Sequence, residues 1–364
     1  MQRPEPRPGI QSISPYVPGK AKAGAAVVHK LSSNESALGP APSAIDALND
    51  AAAALHRYPD ADAASLRKKI GEIYDLPAEQ LIIGAGSDEL ISLMIRCYSS
   101  PGDEVLMTRH GFSYYPIAAM AEGCVPVQAE EDDLMADVDT LLAAVTEKTR
   151  LVFLANPNNP TGTLLPRDEV QRLRDELPGQ VMLVLDGAYA EYLVGDDYDP
   201  GQGFVRDATK SGADNVVMTR TFSKIYGLGG LRVGWAFAPP SVIGILNRVR
   251  GPFNVSAPGI AAATAALHDQ DFVAKNRAHN EAEMARLTQA LRGAGLNVRE
   301  TKANFLLIDL GTDEKAKAFL QHCEDRHVLI RALVSSNLPT MVRVSIGDRA
   351  SNDAFLHAAT LFAG

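Results

Sequence analysis

Lys224 sits in the run Thr219-Arg220-Thr221-Phe222-Ser223-Lys224-Ile225-Tyr226-Gly227-Leu228-Gly229-Gly230-Leu231-Arg232. Within fourteen positions this run holds hydroxyls, an amine flanked by apolar residues, a glycine-rich turn and an arginine. Apolar surroundings disfavour the ammonium form of a lysine, which leaves the amine nucleophilic toward carbonyls. Three other segments are comparably polar just after an apolar run. Gly84-Ala85-Gly86-Ser87-Asp88-Glu89 follows Leu81–Ile83 and opens into a helix-length stretch. Small residues there let the backbone approach an anion, at which the free N–H groups of a helix start would point. A plain tight turn with Ser87 or Asp88 as N-cap fits the same residues. Glu89 stands where a dinucleotide fingerprint needs its third glycine, so that motif is excluded.

Asn156-Pro157-Asn158-Asn159-Pro160-Thr161-Gly162 follows Leu151–Ala155. Its prolines and glycine make a stiff turn, able to present an amide in a fixed direction or to serve only as a turn. Asp186-Gly187-Ala188-Tyr189 follows Val181–Leu185. An aspartate at a buried strand end needs a partner, because an unpaired buried charge is costly; an N-cap is the simpler use. Together the four segments supply an anion cradle, an amide, a carboxylate, a phenol, an amine and an arginine. Pyridoxal phosphate needs each of these. The structural alternatives would have to hold independently at all four places.

The elements that must position these groups alternate in character. Leu81–Ile83, Val105–Met107, Leu151–Ala155, Val181–Leu185, Val216–Thr219 and Val233–Ala238 read as buried strands. Helix-length segments such as Ser87–Ser99, Asp168–Leu177 and Val205–Ser211 lie between them. Such alternation predicts an α/β fold, a mainly parallel sheet covered by helices on both faces. Ligands on these sheets sit beyond the carboxyl ends of the strands. After Pro258 the pattern changes to helices at Ile260–Leu267 and Phe272–Gly293, then Leu296–Arg299, Phe305–Ile308, a helix at Glu314–Arg326, Leu329–Arg331, Met341–Ser345 and a last helix at Asn352–Phe362. This predicts a smaller α+β domain. The expected division is an N-terminal arm over 1–35 packing on the small domain, a large cofactor-binding domain over 36–258 and the small domain over 259–364. Asp196–Gly203 is expected to be a surface loop.

Composition narrows the function classes. The chain has 364 residues, 46% hydrophobic and 22% charged, which suits a soluble globular protein of about two domains. Its 35 basic and 44 acidic residues give a formal charge of −9, which argues against a nucleic-acid partner. The three cysteines, Cys97, Cys124 and Cys323, form no Cys-x-x-Cys pair, and the eight histidines show no metal-ligand spacing, so no metal is expected. The proline-rich start carries no apolar targeting core, and no stretch reaches the length of a membrane span. These readings point to a cytoplasmic protein.

The chain resembles the fold-type-I aminotransferases and, within them, the histidinol-phosphate aminotransferase family. The likeness runs from about Tyr16 to Leu361. It is carried by Leu31-Ser32-Ser33-Asn34-Glu35, Arg57-Tyr58-Pro59-Asp60, Gly86-Ser87-Asp88-Glu89, Asn158-Asn159-Pro160-Thr161-Gly162, Arg220-Thr221-Phe222-Ser223-Lys224 and Gly227–Gly234. The Arg-Thr-Phe-Ser-Lys string is the specific one; the Asn-Pro-Thr-Gly turn is shared across many aminotransferases. The resemblance implies a seven-stranded large-domain sheet and Lys224 as the Schiff-base and proton-transfer amine. It implies Asp186 on the pyridinium nitrogen, and Asn159 and Tyr189 on the ring's phenolic oxygen. Ser87, Asp88, Thr221, Ser223 and Arg232 would hold the phosphate, and Phe112 would stack on the ring. Tyr58 would reach the other subunit's site in a homodimer.

For substrate, the resemblance implies Tyr16, Asn34, Arg331 and Arg343. Two guanidiniums suit either the phosphate of histidinol phosphate or the carboxylates of glutamate; a surface ion pair is the plainer use of each. The implied reaction is ping-pong transfer of an amino group between histidinol phosphate and 2-oxoglutarate. An aromatic amino-acid aminotransferase, a threonine-phosphate decarboxylase and, last, a cofactor-binding regulator remain as alternatives. Three positions depart from the family pattern: Gly187 stands where glutamate is common, His110-Gly111 where Pro-Thr is usual, and Gly229 replaces alanine. Gly187 is expected to alter pocket shape, and His110 either touches a ligand or lies in a solvated loop.

Overall fold

The computed structural model describes residues 4–7, 9–16, 18–19, 28–195 and 197–364. Part of the expected N-terminal arm and Asp196 lie outside these. Seven strands form the main sheet: β1 (Leu81–Gly84), β2 (Glu104–Thr108), β3 (Val125–Ala129), β4 (Thr149–Ala155), β5 (Met182–Asp186), β6 (Val216–Thr221) and β7 (Gly234–Phe237). Their order across the sheet is β1-β7-β6-β5-β4-β2-β3, and β7 alone runs against its neighbours.

Period-2 alternation along the strands sorts their side chains onto two cores. Ile83, Leu106, Val152, Leu154, Leu183, Leu185, Val216 and Met218 face one. Ile82, Val105, Met107, Leu151, Phe153, Val184 and Val217 face the other. Because both faces are covered, the strands are continuous apolar runs, legible from the residues themselves. The strand that sequence reading did not separate is β3, whose side chains are mostly not buried and which carries Pro126. It is an edge strand, where proline is tolerated.

The second sheet has β8 (Asn297–Arg299), β9 (Phe305–Asp309), β10 (Arg331–Ala332) and β11 (Met341–Ser345), in the order β8-β9-β11-β10. Its core includes Leu306, Ile308, Val342 and Val344, with Phe319 and Phe355 from the helices Asp313–Glu324 and Arg349–Ala363. The single strand expected over Leu329–Arg331 is two. Val328–Leu329 pairs in parallel with His29–Lys30, and the chain changes partner at Ile330 so that β10 can pair with β11.

Two expectations need correction. The large-sheet core does not end at 258: Ile260, Ala263, Leu267 and Val273 belong to it, because the helix Ala257–His268 packs on the helix Pro42–Ala52. The change of core falls inside the helix Gln270–Gly293, whose Leu287 and Leu291 join the second core. The expected surface loop after Asp196 is also partly tied inward, since Tyr198 Oη donates to the Asn156 carbonyl at 2.8 Å. The helix that follows it begins at Gln202. Among the described residues no helix is long and apolar enough to cross a membrane.

Candidate active site

The carboxyl ends of β1, β4, β5 and β6 converge on a cavity of about 230 Å³, bounded on its other side by the second sheet and the segment Ser32–Asn34. Asp186 is the last residue of β5 and Thr221 the last of β6, so register alone brings them to one rim. Lys224 follows three residues later between the buried Phe222 and Ile225. Its Nζ lies 5.6 Å from the centre of the Tyr189 ring.

Asp186 is 4% exposed and accepts from Tyr115 Oη at 2.7 Å and from the Ala188 N–H at 3.2 Å. Burial pushes its carboxyl above the ordinary 3.8, with the Tyr115 hydroxyl and the Ala188 N–H acting the other way. Among the described residues it has no cationic partner. A ring N–H⁺ would supply the missing countercharge.

The turn after β1 forms an anion cradle. Gly86 has φ +84°, and a Cβ there would stand 2.5 Å from Arg232 Nη2. Only glycine lets the guanidinium lie on this turn without strain. Gly234 repeats the logic one strand over, where a Cβ would meet the Ser87 nitrogen at 2.4 Å. Arg232, itself left-handed at φ 54°, reaches Asp88 Oδ2 at 3.1 Å, the Gly229 carbonyl at 3.0 Å and Ser223 Oγ at 3.4 Å. Ser87 and Asp88 open a twelve-residue helix whose first N–H groups have no partner within it. Hydroxyls, an arginine and helix-start amides around one rim suit a phosphate.

The opposite wall is cationic. β10 and β11 place Arg331 and Arg343 directly opposite each other, and both line the cavity. Arg343 is 9% exposed, and burial pushes its guanidinium below the ordinary value. It donates to Asn159 Oδ1 and, at 3.2 Å, to the Ser32 carbonyl, while its buried Nε has no partner and no carboxylate pairs with it among the described residues. Like charges in directly opposed sheet positions repel, and an anion in the cavity would offset the buried charge of Arg343. Tyr16 lies under Arg331, with the guanidinium carbon 6.0 Å from its ring centre. Asn34, left-handed at φ 55° and buried, is pinned by Ser345 Oγ and donates to Tyr189 Oη at 2.8 Å.

Fourteen of the fifteen expected residues thus line this one cavity. Tyr58 does not: it is 82% exposed and stacks on Phe253 with ring centres 4.7 Å apart. Gly187 faces away from the cavity, toward Arg220, whose Cδ would be 3.0 Å from an added Cβ. The expected change in pocket shape therefore does not arise from it. His110 neither lines the cavity nor lies in a solvated loop, since its ring pairs with Glu131 at 2.8 Å and its side chain is 11% exposed.

Sequence reading missed Tyr115 and the pair Arg220–Glu191. Tyr115 sits 71 positions from Asp186, and no local spacing links them. Arg220 and Glu191 form a buried ion pair at 2.9 Å beneath the strand ends, with Arg220 also over the Tyr74 and Trp235 rings. The polar string around Lys224 already contained Arg220, and an arginine amid buried strand residues was the available signal.

Comparison with known proteins agrees with this geometry. The model of the family "Aminotransferase class I and II" matches residues 26–358. The histidinol-phosphate aminotransferase of Ruegeria pomeroyi is 48% identical over 98% of this chain and 97% of its own length. That of Paramagnetospirillum magneticum is 47% identical over the full length of both. Among solved structures, histidinol-phosphate aminotransferase from Sinorhizobium meliloti in complex with pyridoxal-5'-phosphate superimposes with a TM-score of 0.89 at 29% identity, covering 98% of this chain and 97% of that one. A Thermus thermophilus aspartate aminotransferase variant, at 19% identity, covers 99% of this chain and 100% of its own with a TM-score of 0.83 and so shares the fold.

Proposed function

This chain belongs to the class I and II aminotransferases, and we propose that it moves an amino group between histidinol phosphate and 2-oxoglutarate in a ping-pong cycle, a step of histidine biosynthesis. The observation that carries the substrate reading is the opposed pair Arg331–Arg343, with Arg343 buried and lacking a carboxylate partner among the described residues. One cationic wall can receive the phosphate of histidinol phosphate in one half-reaction and a carboxylate of glutamate in the other. The relatives at 46–48% identity carry the same enzyme name.

Pyridoxal phosphate, when bound, supplies the electron sink that lets the substrate Cα–H ionise and stores the amino group between half-reactions. Lys224 Nζ is the amine that holds it and the base that takes the Cα proton. Asp186 would keep a proton on the ring nitrogen, and Tyr115 Oη and the Ala188 N–H fix its carboxylate for this. Tyr189 Oη, accepting from Asn34, has its own proton and would donate it to the ring oxygen, as would the Asn159 amide, which lines the same cavity. Ser87, Asp88 through its N–H, Thr221, Ser223 and Arg232 would hold the phosphate, and Phe112 would cover the ring. Tyr16, Asn34, Arg331 and Arg343 orient the substrate. We assign Tyr58, exposed and outside this chain's cavity, to the partner's site in a cytoplasmic homodimer. The protein divides functionally into a cofactor unit and a substrate unit that includes the end of the N-terminal arm.

The test is a half-reaction titration of the holoenzyme with histidinol phosphate, phenylalanine and threonine phosphate. Histidinol phosphate should bleach the visible absorbance band at the lowest concentration. Bleaching by phenylalanine and not by histidinol phosphate would overturn the substrate, and release of carbon dioxide from threonine phosphate would overturn the reaction class.

A further inference from the structure

Glu131 lies outside the cavity yet is held like a site residue. Its side chain is 2% exposed, and its two carboxylate oxygens grip one residue twice. Oε1 accepts the His110 backbone N–H at 3.0 Å, and Oε2 pairs with His110 Nδ1 at 2.8 Å. The His110 carbonyl in turn accepts Asn158 Nδ2 at 3.1 Å, next to Asn159. Two residues after His110, Phe112 lines the cavity and packs edge-on against Tyr115, the hydroxyl that holds Asp186. The clamp therefore sets the loop that carries Phe112 and steadies the turn that carries Asn159.

Glu131 also begins a hairpin, Glu131–Asp132 paired with Met135–Ala136, that crosses to the second sheet. At its tip Leu134 packs against the cluster of Leu307, Leu333 and Leu338, on which Met341 also packs, and the Leu134 carbonyl accepts Thr163 Oγ1 at 3.1 Å. Asp133 pairs with Arg299 at 2.5 Å. Met341 starts the strand that bears Arg343, and Leu333 follows the strand that bears Arg331. One short element thus touches the wall that would grip the substrate anion and the loop that would cover the cofactor ring.

We propose that Glu131 is a positioning residue which, through His110, holds Phe112 and the Asn158–Asn159 turn, and that its hairpin ties this setting to the position of the second sheet. The proposal rests on the reading of the cavity as a pyridoxal-phosphate site and is independent of which amino donor is used. It gives His110 and Glu131 a shared use that neither has alone.

The experiment compares Glu131→Ala, Glu131→Gln and Leu134→Ala holoenzymes with the parent. The readouts are visible circular dichroism of the bound cofactor without substrate, the cofactor dissociation constant, and kcat and KM with glutamate. Glu131→Ala should weaken the visible dichroism and lower kcat roughly ten- to a hundredfold with little change in KM, as misplacement of a positioned group does. Glu131→Gln, which still accepts the His110 N–H, should recover most of both. Leu134→Ala should leave the resting dichroism unchanged and slow the glutamate half-reaction. Unchanged dichroism and kcat in Glu131→Ala would overturn the proposal. So would equal losses in the Ala and Gln variants, since that is what loss of folded protein alone produces. If Glu131→Ala does not fold, parent-like kinetics in Leu134→Ala overturn the coupling and a slowed half-reaction with resting dichroism intact supports it. A parent protein with no visible dichroism would mean instead that the cofactor reading has failed.

Discussion

Arg331 and Arg343 face each other across adjacent antiparallel strands, and both look into the cavity. Their mutual repulsion and the burial of Arg343 would be offset by an anion bound in the cavity, as the proposed substrate contact requires. Arg343→Gln should raise the KM for both amino donors by roughly 10- to 100-fold, the worth of a charge-assisted bidentate contact. Inorganic phosphate should raise the thermal midpoint of the parent holoenzyme and leave that of the variant unmoved.

Lys224→Ala should give a colourless protein whose kcat falls roughly a thousandfold or more, since both the covalent amine and the proton carrier are lost. Steady-state turnover with histidinol phosphate and 2-oxoglutarate, together with the absorbance spectrum, checks this.

Asp186 makes a prediction in two parts. Burial raises its folded-state pKa, so the neutral form is favoured in the fold, and the stability this brings is present below about 3.8 and lost as pH rises through the raised value. At neutral pH the cofactor-free protein carries the cost of a buried carboxylate that has hydrogen bonds but no cationic partner among the described residues. Asp186→Asn should therefore raise the cofactor-free thermal midpoint by roughly 2 °C or more, while gaining less than the parent when cofactor is added. Its kcat should fall at least about a hundredfold. Calorimetry with and without cofactor separates the two effects.

Gly86→Ala should loosen the phosphate cradle. With φ +84° and ψ 166°, this backbone is nearly closed to any residue with a Cβ and costs about 1–3 kcal/mol for alanine, and the new Cβ displaces Arg232 Nη2. The cofactor dissociation constant should rise roughly tenfold or more, read by equilibrium dialysis.

Glu283 links the helix Gln270–Gly293 to the last helix, accepting from Arg349 Nη1 and Asn352 Nδ2 at 2.8 Å each, with Arg286 beside it. Burial opposes its charge, but the Arg286 and Asn352 hydrogen bonds, with Arg349 also donating, hold the carboxyl down at about 2. A depressed carboxyl stabilises the fold above its unfolded value near 4.5, and that share is lost as pH falls toward 2. Acid unfolding followed by circular dichroism should show this loss, and Glu283→Gln should flatten the slope in that window while lowering stability at neutral pH.

The sequence by itself determined the strand ends and their cargo. Buried parallel strands are continuous apolar runs, so their ends are sharp, and the polar residues after them stand out: Gly86 to Asp88, Asn159, Asp186, and Thr221 to Lys224. Because ligands collect at those ends, the cofactor chemistry could be read before any distance was known. The tertiary structure decided what depends on partners far along the chain. Tyr115 reaches Asp186 across 71 positions, Glu131 grips His110, and Arg343 meets Asn159 only because the second sheet lies over the first. The opposition of Arg331 and Arg343 is a matter of strand register, and the shift of the core boundary into the helix Gln270–Gly293 is a matter of packing. Local sequence encodes which groups a strand end offers. Which groups face each other is set by where the strands and helices come to rest.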